Sequence, residues 1–247
     1  MHIQSPIKSK PQNAIPLTIL PRKRIILGII LLFVITAVGV ITGCSLKALI
    51  LLDTATIFLS AFEFNQNTRI INIFVVAVIL TSSAVSLFLT QFCLNESLLS
   101  IGIYHILTGM ILILALSFFL ATIIGSWRHS TTITMLLAML LATACYYVYQ
   151  FRGSELMPVD ILSIGTALNV ASNYSFIFPA FLFYAWALQI LWIFAIYTLP
   201  ELNIKPLTVR IASFLHTIIL ILLFICMAVK FPHYILNRVV LFKMAIF

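Results

Sequence analysis

The sequence predicts an all-α protein: a helical bundle that crosses a membrane about seven times. Three observations predict it. Hydrophobic residues make up 63% of the 247 and charged residues 8%, against roughly 25% charged in a soluble domain. Mean hydropathy is +1.19, so most of the surface must face lipid. The apolar residues gather in seven runs, at 25–43, 48–64, 70–92, 101–124, 132–150, 177–199 and 209–229. About 20 apolar residues cross a hydrocarbon core of roughly 30 Å as a helix. Leu, Ile, Phe and Val fill the runs without the period-2 alternation of a membrane barrel strand, so helices are the reading.

Residues 1–24 precede the first run and read as a disordered, basic cytoplasmic leader, with Pro6, Pro11, Pro16 and Pro21 among Lys8, Lys10, Arg22, Lys23 and Arg24. The first run ends in Ile41-Thr42-Gly43-Cys44, which resembles a lipoprotein cleavage box. At 19 residues the run is long for a signal-peptide core, and an uncleaved first helix is the better reading. The second run is the short one. It contains Asp53 and ends at Glu63, so it either spans or forms a re-entrant segment, which would leave six spans. The other six runs are long enough to cross outright. Residues 25–230 therefore read as one transmembrane domain, and 231–247 as a tail beyond the last span.

Orientation follows from counting cations. With seven spans and the N-terminus inside, inner segments hold Lys8, Lys10, Arg22, Lys23, Arg24, Arg69, Arg128, Lys205 and Arg210. Outer segments hold Lys47, Arg152, Lys230, Arg238 and Lys243. Nine against five obeys the positive-inside rule, and it puts the 151–176 loop and the tail outside. Removing the second span would turn Arg69, Arg128, Lys205 and Arg210 outward. Trp127 and the cluster Tyr146, Tyr147, Tyr149, Phe151 sit where interfacial aromatic belts are expected.

The formal charge of +8 is the flank of a membrane helix rather than a nucleic-acid surface, because basic residues interleaved with aromatics are absent. Cys44, Cys93, Cys145 and Cys226 lie in or at the ends of apolar runs without a C-x-x-C pair, and packing is the reading for them. No zincin, P-loop, nucleophile-elbow or dinucleotide-binding motif occurs. Asn95-Glu96-Ser97 and Asn173-Tyr174-Ser175 fit the short N-glycosylation pattern. Asp53 is the acid well inside a run, and an ionisable group at that depth is a functional candidate. Glu63 lies about 15 Å further along a helix and about 80° round it, so the two do not form a carboxylate pair. His105 and His216 are lone imidazoles.

The informative stretch is the loop from Phe151 to Phe176. Gly153 permits a sharp exit from the preceding helix. Pro158 suits the first turn of a new helix, with Asp160 near its positive end. Ile161, Ile164, Leu168 and Ala171 share one face, while Ser163, Thr166 and Asn169 fall elsewhere. That pattern describes a short amphipathic helix on the outer leaflet; the bland alternative is a loop that plugs the bundle.

The loop, after its aromatic helix end, closely resembles the membrane segment of the lipoteichoic acid synthase-like phosphoglycerol transferases of the alkaline phosphatase/sulfatase superfamily. Many of those read Tyr/Asn-Phe-Arg-Gly-x-x-x-x-Pro-x-Asp-Leu/Ile-Leu-Ser-x-x-Thr-Ala-x-Asn-Val-Ala-x-x-Tyr. The matching residues are Phe151, Arg152, Gly153, Pro158, Asp160, Leu162, Ser163, Thr166, Ala167, Asn169, Val170, Ala171 and Tyr174. The resemblance implies a plasma-membrane enzyme that uses a phosphatidylglycerol-type lipid and builds a glycerol-phosphate polymer. It also implies an extracellular domain with a Thr nucleophile and Mn²⁺. None of those catalytic residues maps onto this chain, which stops at Phe247, so no catalytic residue, cofactor site or metal ligand is carried over. The expectation is a membrane domain, inactive alone, that anchors and presents phosphatidylglycerol to a catalytic domain or subunit attached at the outer tail. The rival is a self-standing transporter or structural membrane protein that uses Asp53 and Glu63.

Overall fold

A computed structural model describes residues 22–61, 69–94, 103–153, 177–199 and 206–230. Among the described residues there are seven α-helices and no strand: α1 Arg22–Ile41, α2 Leu46–Ala61, α3 Arg69–Leu94, α4 Ile103–Ile124, α5 Trp127–Arg152, α6 Ala180–Thr198 and α7 Pro206–Lys230. Each coincides with one predicted apolar run.

Five helices are long and apolar enough to cross a membrane: Ile73–Leu94, Ile103–Ile124, Trp127–Phe151, Ala180–Thr198 and Pro206–Met227. The helix of the first run, α1, is 20 residues long with Ile25–Ile41 as its apolar part. It stops at Ile41 because the run's last residues turn: the Cys44 N–H bonds back to the Gly39 carbonyl (2.9 Å). At 16 residues, α2 is about 24 Å long, the shortest of the seven, as its sequence suggests.

Helix starts differ from the apolar runs for local reasons. The hydropathy pattern places the α5 start at 132, yet the helix begins at Trp127. Ser130 lies just before the 132–150 run, and Thr132 and Thr134 open it. In the helix their hydroxyls donate to the carbonyls of Trp127 (3.0 Å), Arg128 (3.0 Å) and Ser130 (2.9 Å), which removes their demand for water. Pro206 opens α7, where its missing N–H costs no hydrogen bond.

The helices pack as an antiparallel bundle. α1 and α2 form a hairpin that leans on α6; α6 lies against α3 and α5; α3, α4 and α5 contact one another; α7 packs on α4. The hairpin is close because α1 carries glycine at the contacts. A Cβ on Gly28 would meet the Ser60 Cβ at 2.7 Å, and one on Gly39 would run into Leu49, the small-residue device of membrane helix pairs. Ile35, Leu49, Leu52 and Phe183 fill the seam to α6, and Cys93, Met139, Ala142 and Leu182 fill the α3–α5–α6 seam. In their most apolar stretches α3 and α6 bury 44% of their residues and α7 only 17%. The core is therefore α3–α6, and α7 is its edge.

Side-chain contacts sort the two ends. At one end, here the loop end, the Ser45 N–H bonds Tyr184 near the α6 start (3.1 Å), and Tyr147 near the α5 end bonds the Ile177 carbonyl (3.1 Å). At the other, Arg128 at the α5 start bonds the Leu199 carbonyl after α6, and Trp127 bonds Ser213 in α7 (2.6 Å). Since α7 starts at that second end, it finishes at the loop end.

Candidate functional site

The residues singled out in sequence meet the structure at the loop end. Tyr146 packs edge-on against Tyr147 and against Phe181 of α6, both at 5.3 Å between centroids, and Tyr147 stacks on Phe151 at 6.1 Å. The Tyr147 hydroxyl then donates to the Ile177 carbonyl. These rings tie together the two strands of chain from which the 154–176 loop departs. Arg152 is the last helical residue. Gly153 follows with φ 66°, and its N–H donates to the Tyr149 carbonyl at 2.8 Å. A Cβ there would meet nothing within 4 Å, so glycine answers to backbone conformation, as a left-handed helix cap requires. The sharp exit expected of Gly153 is therefore present. Pro158, Asp160, Ser163, Thr166, Asn169 and Tyr174 lie outside the described residues, and so does the expected interfacial helix.

Asp53 sits half-buried between α1 and α2. The Thr36 hydroxyl stands 3.1 Å from each carboxylate oxygen and 2.9 Å from the Leu32 carbonyl. One proton serves one acceptor at a time, so Thr36 can satisfy the carboxylate or its own helix. The structure thus gives Asp53 a role in joining the hairpin. Glu63, its companion in the transporter reading, lies outside the described residues. His216 faces outward on α7, stacked on Phe118 at 5.2 Å, with Nδ1 donating to the Ala212 carbonyl (2.7 Å).

A polar interior runs through the core, and a search for charged residues passes over it. All three tryptophans donate their indole N–H to a hydroxyl on another helix: Trp127 to Ser213 (2.6 Å), Trp186 to Thr143 (3.0 Å) and Trp192 to Ser82 (2.9 Å). Ser117 and Thr131 pair across α4 and α5 at 3.1 Å, and the Gln189 side-chain amide donates to the Met135 carbonyl at 2.8 Å. Between these groups lies a cavity of about 10 Å³ beside Ser82, Ser83, Ser117, Thr131 and Thr134, about the room of one water. Ser86 Oγ, Gln91 Oε1 and Gln189 Oε1 are buried with no partner among the described residues. The sequence signal was the hydroxyl strings at Thr81-Ser82-Ser83, inside an apolar run, and Ser130-Thr131-Thr132, at the start of one. The cysteines are free: Cys93 and Cys145 buried, Cys44 half-buried, Cys226 exposed.

At the opposite end, Trp127 is not a simple belt residue, since its indole turns inward to Ser213 and packs near Val75, Ile79 and Leu199. The Arg128 guanidinium bonds the Leu199 carbonyl and lies 5.5 Å from the centre of the Tyr197 ring, a cation–π distance. Arg210 reaches over the α4–α5 turn. Gly125 there has φ 76°, and a Cβ on it would meet Arg210 Nε at 3.2 Å and Pro206 Cβ at 3.4 Å. Among the described residues no group of three His, Cys, Asp or Glu comes together as a metal site needs.

No protein-family model, curated protein or solved structure matches this chain. The family resemblance of the Phe151–Tyr174 pattern rests on those residues alone.

Proposed function

We propose that this chain is the membrane domain of a lipoteichoic acid synthase-like phosphoglycerol transferase. It anchors the enzyme in the plasma membrane and presents a phosphatidylglycerol-type lipid to a catalytic domain on the outer side. The observation that carries this reading is the run of matched residues from Phe151 to Tyr174. It is supported by the rigid stem beneath the loop, built from Tyr147, Phe151 and the Gly153 cap. In this reading all seven helices cross, the N-terminus is cytoplasmic, and a short interfacial helix lies in the outer loop. Nine cations against five favour that orientation. The departure of the loop and the finish of α7 on the same side of the bundle favour a catalytic domain on that side.

The chemistry assigned to this segment is recognition. A guanidinium can hold a phosphate through two parallel hydrogen bonds, which Lys does not reproduce. Arg152 closes α5 at the loop end and is the proposed head-group contact. Asp160 caps the interfacial helix or pairs with Arg152. Mn²⁺ and the Thr nucleophile belong to the catalytic domain, and no step of this proposal runs through a metal in the membrane segment. The chain by itself then transfers no phosphoglycerol.

The rival reading, a transporter or structural membrane protein, has Asp53 in its favour, half-buried and within reach of Thr36. One experiment separates the two. In a form joined to a working phosphoglycerol-transferring domain, Arg152→Lys should fold and use phosphatidylglycerol several-fold less well, and Arg152→Ala should do worse. Parental turnover in both folded variants would exclude the head-group role. Loss of thermal stability by both in lipid-free detergent would make Arg152 structural.

A further inference from the structure

We propose a second lipid site, independent of the family reading, at the opposite end of the bundle: an anionic phospholipid with its phosphate on Arg210 and one acyl chain in the cleft between α4, α5 and α7. The cleft measures about 440 Å³ and is walled by residues that include Phe119, Leu137, Ala138, Leu141, Thr217 and Ile221. Its polar residues do not make it polar. Thr134 donates to the Ser130 carbonyl (2.9 Å) and Thr217 to the Ser213 carbonyl (2.8 Å). Both hydroxyls are spent on their own helices, leaving a wall suited to hydrocarbon.

Arg210 sits on the same flank of α7. Arg210, Thr217 and Ile221 are spaced i, i+7 and i+11, so Thr217 and Ile221 each lie within about 20° of Arg210 round the helix. Arg210 stands about 10 Å nearer the helix start than Thr217, so a phosphate at Arg210 lets a chain run inward along the cleft. The guanidinium is exposed and rests beside Gly125, whose missing side chain leaves the space it occupies. Its neighbour Arg128 is committed to Leu199 and Tyr197. Asp53, the one acid among the described residues, is bonded to Thr36 in the hairpin. Among the described residues no carboxylate therefore pairs with Arg210. Charge chooses the occupant: a hydrocarbon cleft accepts any lipid tail, while an exposed guanidinium one lipid head-group length nearer the α7 start, with no carboxylate partner among the described residues, selects a head group with net negative charge.

Native mass spectrometry of the delipidated 247-residue chain tests the site, with phosphatidylglycerol and phosphatidylcholine of identical acyl chains as probes and sodium phosphate as competitor. The anionic lipid should bind several-fold more tightly. Arg210→Gln should weaken it about fivefold, the factor one interfacial cation contributes, and leave phosphatidylcholine unchanged. Arg152→Ala should leave this binding in place, which separates the site from the loop. Ala138→Phe, which fills the cleft without touching charge, should weaken both lipids. Equal binding of the two lipids overturns the proposal. So does Arg210→Gln binding like the parent, or inorganic phosphate displacing the lipid at matched concentration. Should Arg210→Gln not fold, Ala138→Phe with unaltered lipid binding overturns it alone.

Discussion

At the scale of single residues, the interior is organised by donors that have nowhere else to go. A tryptophan N–H inside hydrocarbon has no water to bond, and each of the three here finds a Ser or Thr hydroxyl. Ser82, fully buried, takes the Trp192 N–H and donates its own proton to the Val78 carbonyl (2.7 Å). Removing one partner should cost more than removing both. Ser82→Ala leaves a buried N–H unpaired, about 1–3 kcal/mol, whereas Trp192→Phe removes that donor and leaves an acceptor with other capacity. A double-mutant cycle of Ser82→Ala and Trp192→Phe, read by reversible unfolding in micelles, should give a coupling of about 0.6 kcal/mol and at most about 1.7. Zero coupling would mean that the bond carries no stability. Some of this scale was legible. Gly153 announced its cap, because a glycine after an aromatic helix end has few other uses. The hydroxyl partners were not legible, because pairing depends on which helices lie together, and nothing in the string Thr81-Ser82-Ser83 names Trp192.

Among the helices, the contrast between core and edge decides what a substitution does. α7 meets the bundle through Val209, Ser213 and Thr217, all buried and four residues apart, while Phe214, Leu215 and Ile218 face outward. Small side chains let the α4 and α7 backbones approach, and Ser213 also accepts the Trp127 bond. Ser213→Leu should destabilise by about 1–3 kcal/mol, through overpacking and the orphaned indole. Phe214→Leu, on the same helix but facing out, should change stability by no more than about 0.5 kcal/mol. Equal effects of the two would contradict the assignment of the packed face. Hydropathy located all seven helices but shifted their starts, most visibly at α5. Ser130 and Thr131 look like a boundary until their hydroxyls have partners inside the bundle.

For the whole molecule, the arrangement of ends joins the fold to the proposed function. The α5 end, the α6 start and the α7 end lie on the same side of the bundle, and Tyr147 and Gly153 fix the chain as it leaves for the 154–176 loop. With the N-terminus inside, single cysteines at Ser154 and Ala245 should both react with a membrane-impermeant thiol reagent in intact cells. Protection of both would reverse the orientation. The helical bundle was readable from apolar runs, since lipid imposes a one-dimensional pattern; its direction is the proposal that the cation count carries and the labelling tests. The proposed lipid role rests on a resemblance alone, because a head-group contact depends on where Arg152 and Asp160 stand relative to each other. The central claim is that the loop end receives phosphatidylglycerol. Its most direct test is photo-crosslinking of the membrane-embedded chain with a head-group-reactive phosphatidylglycerol analogue, mapped by peptide against the matching phosphatidylcholine analogue. The account predicts adducts concentrated between residues 146 and 176, several-fold fewer with the choline lipid, and their loss in Arg152→Ala. Equal labelling by the two lipids, or adducts indifferent to Arg152, would contradict it.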